Sequence, residues 1–157
     1  MSKISMMDME EFIVGGKAST RTFDLYKTTA DGEVKKMPVT VRPITIYELT
    51  KLTNKALLNV EDIKLRDKFV KMLDGDEKAV KDVSDNDMIM FNFYFYALYG
   101  AYAIQDSFDA DIDEIVDLIL SCDANCIMEL REFVAQISGV ANSSTEDVEA
   151  FHEDESR

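Results

Sequence analysis

A chain of 157 residues has room for one core with appendages, not for two domains. Its 31 acids against 17 bases leave a net charge of −14, which repels phosphate backbones and anionic bilayers and so excludes nucleic-acid and membrane-surface binding. Two cysteines and one histidine are too few for a structural zinc site within one chain, and no metal or cofactor is expected.

Residues 1–20 read as an N-terminal arm. Met6, Met7, Met9, Phe12, Ile13 and Val14 are apolar, and Gly15-Gly16 interrupts any continuous element. The run is too short, and acidic too early, for a secretory signal. Methionine-rich segments adapt to irregular surfaces, which makes Met6, Met7 and Phe12 candidate partner contacts. The alternative is an arm that packs on its own domain or is loosely ordered.

From Thr22 to Lys27 apolar and polar residues alternate, with Phe23 and Leu25 on one face. Asp31-Gly32 signals a hairpin turn, and the return strand runs from Glu33 towards Arg42. Pro38 inside that strand marks an edge or a bulge. Two strands alone are marginal in water, so the hairpin must lie on helices, on the arm or on another subunit.

The stretch from Val39 to Leu49 is the hinge of the chain. Val39 and Val41 alternate with Thr40 and Arg42, and Pro43 ends the strand by removing a donor and holding Arg42 extended. Thr45 and Glu48 have the spacing of a capping box, with Ile44 and Leu49 placed as its hydrophobic staple. Arg42, Pro43, Thr45 and Glu48 are therefore assigned to a structural junction. The helix that follows, Ile46 to about Leu58, aligns Ile46, Leu49, Leu52 and Ala56. A second amphipathic run, Val60 to Leu73, aligns Val60, Ile63, Phe69, Val70 and Leu73 and ends at Gly75. Its Lys64, Arg66, Lys68 and Lys71 form the most basic stretch of the chain, a solvated face or a dock for an acidic segment.

Ser84-Asp85-Asn86-Asp87 caps the most apolar segment, Met88 to Ile104. This segment is about as short as a membrane span can be, is broken by Asn92 and Gly100, and has acidic flanks. It is expected to be a central helix buried on most sides, with tyrosines where its surface is wet or shared. Tyr94, Tyr99 and Tyr102 are candidate partner contacts, and a helix so apolar points to a homo-oligomer.

Asp109 to Leu120 fails as a calcium loop, because Glu114 stands where glycine is needed and Leu120 where the bidentate glutamate is needed. Asp111 instead caps a helix through Leu120, and Asp123 caps the last one, which ends at Ser138-Gly139. Cys122 and Cys126 are expected as small buried side chains in a reducing cytoplasm. Residues 140–157 read as a disordered acidic tail, whose six acids against Arg157 carry five of the fourteen net negative charges. No phosphate loop, nucleophile elbow or metal motif occurs, and the single histidine, His152, lies in this tail. Catalysis is not expected.

The fold class is therefore α+β and mostly helical: a β-hairpin and about five helices over residues 21–139, between an arm at 1–20 and the tail at 140–157. The order of arm, hairpin, Val41-Arg42-Pro43-Ile44-Thr45-x-x-Glu48-Leu49, helices and Leu130-x-x-Phe133-x-x-x-Ile137-Ser138-Gly139 resembles the tail assembly chaperones of tailed phages and viruses. That family commonly shows an "Arg-Pro-Leu-Thr-x-x-Glu"-like junction and an "Ile-x-x-Leu-Ser-Gly"-like ending. The likeness covers roughly residues 20–139. Ile44 stands for the usual leucine, and the aromatic central helix has no counterpart in the family pattern. The resemblance implies a non-enzymatic protein of the host cytoplasm that binds the tape-measure protein, keeps it soluble, and leaves as tail-tube protein polymerises, so that it is not expected in the mature virion. It further implies a longer form made by a frameshift near the C-terminus. Two other classes stand beside it: an acidic inhibitor that mimics DNA, and a structural tail or head completion subunit.

Overall fold

The computed structural model describes residues 3–9 and 20–139. Phe12, most of the arm and the whole acidic tail lie outside the described residues. Residues 6–9 form one helical turn, started by the Ser5 hydroxyl, which accepts from the Asp8 N–H at 3.1 Å.

Strands β1 (Arg21–Thr28) and β2 (Val34–Val41) pair antiparallel in one unbroken register, from Arg21 opposite Val41 to Thr28 opposite Val34. The turn is not the tight two-residue kind. Thr29 and Glu33 close a three-residue loop in which the Gly32 N–H donates to Thr29 C=O, and Gly32 takes φ of 84°. Pro38 makes no bulge. It stands opposite Asp24 at a position whose N–H would point away from β1, so its missing donor costs the ladder nothing.

Five helices follow: α1 (Ile46–Leu58), α2 (Ile63–Leu73), α3 (Asp85–Ile104), α4 (Ile112–Leu120) and α5 (Ala124–Ile137), with 3₁₀ turns at Glu77–Val80 and Gln105–Ser107. Helix α3 is the axis, packed by α1, α4 and α5 and touched by β2, while α5 runs along β1. Its C-terminal half is built for burial: Ala97, Leu98, Ala101, Ala103 and Ile104 are sealed. Gly100 lets α4 and α5 approach, since a Cβ there would stand 2.6 Å from Leu130 Cδ2 and 3.3 Å from Ile119 Cδ1.

Several expectations need correction. Ile46 does not join the α1 stripe; it is 83% exposed, leaving Leu52 and Ala56 as the buried line. In α2, which begins only at Ile63 behind the Asp62 cap, the inward face is Leu65, Phe69 and Met72. Ile63, Val70 and Leu73 face outward, because one helix cannot hold both stripes against a single core. Helix α3 is buried on most sides only in its second half. Its first half presents Ile89 and Met90 to the surface and keeps residues 92–96 half-buried. Gly75, with φ of 99°, closes α2 as a Schellman motif, its N–H donating to Met72 C=O and that of Asp76 to Lys71 C=O.

Candidate functional site

The strand-to-helix junction is built as its residues require. The Thr45 hydroxyl accepts from the Glu48 N–H at 3.1 Å, and Glu48 Oε1 accepts from the Thr45 N–H at 3.3 Å. Arg42 then closes a planar fork on the same carboxylate, at 2.9 Å and 2.7 Å. Burial alone would push the Glu48 carboxyl up, but the Arg42 guanidinium and the Thr45 N–H more than offset it and hold the group below its ordinary 4.5. Ile44 is buried, and Leu49 packs against the core. The Ile44 N–H donates to Ser138 Oγ at 2.9 Å. The ending Ile137-Ser138-Gly139 is thereby tied to the junction 94 residues earlier.

Each open edge of the hairpin is occupied at one end. On the β2 side, the Thr40 N–H donates to Ser107 Oγ at 2.9 Å and the Arg42 N–H to Ala103 C=O at 2.9 Å. On the β1 side, the Thr28 N–H and hydroxyl donate to the Asp123 carboxylate at 3.0 Å and 2.6 Å, and the Tyr26 N–H donates to Cys126 Sγ at 3.3 Å. Asp123 thus stands at the N-cap of α5, but its side chain binds the strand instead of capping the helix. Helix ends thus shield those parts of the edges from further strand pairing.

Cys122 and Cys126 are free thiols, with Cys126 fully buried. Burial and the neighbouring thiol push Cys122 up to about 11, so it remains protonated at neutral pH and is a poor nucleophile. Among the described residues no cluster of histidine, cysteine and carboxylate groups can hold a metal ion. Nor is any helix among them long and apolar enough to cross a membrane.

The candidate site is a groove of about 600 Å³ between α2 and the first half of α3, closed at its ends by the C-terminal residues of α1 and by Leu120 of α4. Phe69 stacks flat on Phe91, with ring centroids 4.1 Å apart, and this contact joins α2 to α3. Leu65 and Phe91 line the floor, Ile89, Met90 and Tyr94 the α3 wall, and Glu61, Asp62 and Asp87 the rim. Asp62 is engaged, accepting from the Lys64 and Leu65 N–H groups at the start of α2. Glu61 and Asp87 are exposed and form no ion pair among the described residues. No lysine or arginine lines the groove. Lys64, Lys68 and Lys71 make a separate stripe along α2, outside it.

Of the residues singled out by sequence, Tyr94 is in the groove wall and Tyr102 is half-buried elsewhere on α3. Tyr99 is a core residue, 6% exposed, and burial pushes its hydroxyl up. Met6 and Met7 are exposed on the helical turn at 6–9. Sequence reasoning missed Leu65, Met90 and the acidic rim. The i, i+4, i+7 spacing of Leu65, Phe69 and Met72 was the available signal. No family model, curated protein or solved structure matches the chain.

Proposed function

We propose that this chain is a tail assembly chaperone of a tailed phage or virus, a non-enzymatic protein that holds the tape-measure protein soluble in the host cytoplasm until tail-tube subunits assemble on it. The observation that carries this reading is the open groove. A small, strongly negative protein leaves Ile89, Met90 and Leu120 at the surface around an apolar cleft, where an isolated domain would gain by closing it. Negative charge keeps such a protein soluble while its apolar surface waits for a client. The two segments that resemble the family, around Arg42-Pro43-Ile44-Thr45 and Ile137-Ser138-Gly139, are joined by the bond from Ile44 to Ser138.

The test is co-expression with the tape-measure protein encoded nearby, followed by pull-down and a solubility assay. Tape-measure protein recovered in the soluble fraction only when this chain is present is the expected result. An insoluble tape-measure protein with nothing co-purifying overturns the reading. Presence of the chain in purified particles would favour a structural subunit instead, because a chaperone leaves before maturity.

A further inference from the structure

We propose that the groove between α2 and the first half of α3 is a docking site for one amphipathic helix of another protein, with a stripe of large apolar side chains flanked by lysine or arginine. This rests on the chaperone reading and gives its client contact a chemistry.

Three observations select that occupant. The first is the mode of binding. An extended segment adding to a sheet edge would find β2 bonded by Ser107 and Ala103 at its end and β1 bonded by Asp123 and Cys126 at its end. That leaves only two outward N–H groups on each strand, too few for a paired strand. What remains is a helix lying in a groove between helices. The second is size. About 600 Å³, floored by Leu65 and the Phe69–Phe91 stack, suits the three or four large side chains that about two turns of an amphipathic helix present. Met90, unbranched and polarizable, lets the wall adapt to different apolar side chains.

The third is charge. Glu61, Asp62 and Asp87 stand on the rim with no lining cation against them, and the whole chain carries −14. Flanking cations on the incoming helix therefore meet carboxylates, whereas flanking acids meet like charge. The same repulsion opposes the chain's own arm, in this molecule or a second copy, because Asp8, Glu10 and Glu11 sit among its apolar residues.

The full-length chain is titrated, by fluorescence polarisation, into two labelled synthetic helical peptides. Both carry the same leucine stripe; one has lysines beside it and the other glutamates. The lysine peptide is expected to bind about tenfold tighter or more at physiological salt, with the gap narrowing as salt rises. In a Glu61→Lys, Asp87→Lys double variant the preference should reverse, and circular dichroism checks that both forms fold; Asp62 is left alone because it caps α2.

Equal binding of the two peptides to the unaltered chain, or no binding of either, overturns the proposal. So does binding that appears only when Met6→Ser and Met7→Ser are introduced, which would make the arm the occupant. The peptide result and the tape-measure assay fail separately. A lysine preference without rescue of the tape-measure protein removes the chaperone reading and keeps the groove; rescue without a preference does the reverse.

Discussion

The two halves of α3 are one helix in two environments. From Ala97 to Ile104 it is sealed by small residues that bring α4 and α5 close, and every turn is used. From Asp85 to Tyr96 the side chains are larger, yet the surface is open: only Phe91 is buried, under Phe69. Burial here follows the partners a helix is given, not its own hydrophobicity. The closed half is anchored by α4, α5 and the hairpin. The open half has α2 as its neighbour, held by an aromatic stack and splayed enough to leave the groove.

That contrast can be broken most sharply by truncating each half in turn. Leu98→Ala removes a fully buried side chain from the closed half and should cost about 3 kcal/mol in chemical denaturation. The next largest effect belongs to the junction that holds the hairpin against this half. Glu48→Gln removes the charged fork on Arg42, which keeps only Asp106 at 3.4 Å, and should cost about 1.5 kcal/mol at pH 7. The Glu48 carboxyl lies below its ordinary 4.5 in the folded chain, so its contribution is complete above that value and is lost as pH falls through the folded one. Stability measured against pH should therefore show a shallower acid limb in the variant; an unchanged limb would show that the pair adds nothing.

Gly100→Ala separates propensity from packing. Alanine favours the helix by about 1 kcal/mol, but its Cβ meets Leu130, which is fully buried and cannot swing away. Overpacking of about 1–3 kcal/mol outweighs the gain, so a net loss of about 1 kcal/mol is expected in thermal melts. The smallest effect on stability belongs to the open half. Met90→Ser should change it by no more than about 0.5 kcal/mol, yet reduce recovery of soluble tape-measure protein in the co-expression assay. A large loss of stability with unchanged recovery would identify Met90 as core and not as a contact for the client.

Local signals in the chain were strong wherever the physics is local. The capping box at Thr45 and Glu48, the caps at Ser84 and Asp111, and Gly75 and Gly139 at helix ends all involve neighbours within a turn. Their geometry is fixed by backbone groups that must find partners close by. The helical phase was harder. Ile63, Val70 and Leu73 make as good an apolar stripe as Leu65, Phe69 and Met72, and only the position of Phe91 decides which one turns inward. Asp123 shows the same limit at a cap. Its spacing from α5 is that of an N-cap, but Thr28 offers its carboxylate two donors from a strand 95 residues away.

Sequence by itself thus determined the hairpin, the five helices, most of their ends and the absence of any recognised catalytic motif, because each of these depends on residue types a few positions apart. Tertiary structure alone decided that helix ends occupy part of each edge of the hairpin, that Ser138 answers Ile44, and that α2 stands off from α3 to leave a groove. Those outcomes depend on which surfaces meet, and a chain that is apolar on several faces does not declare in its order which of them will be left without a neighbour.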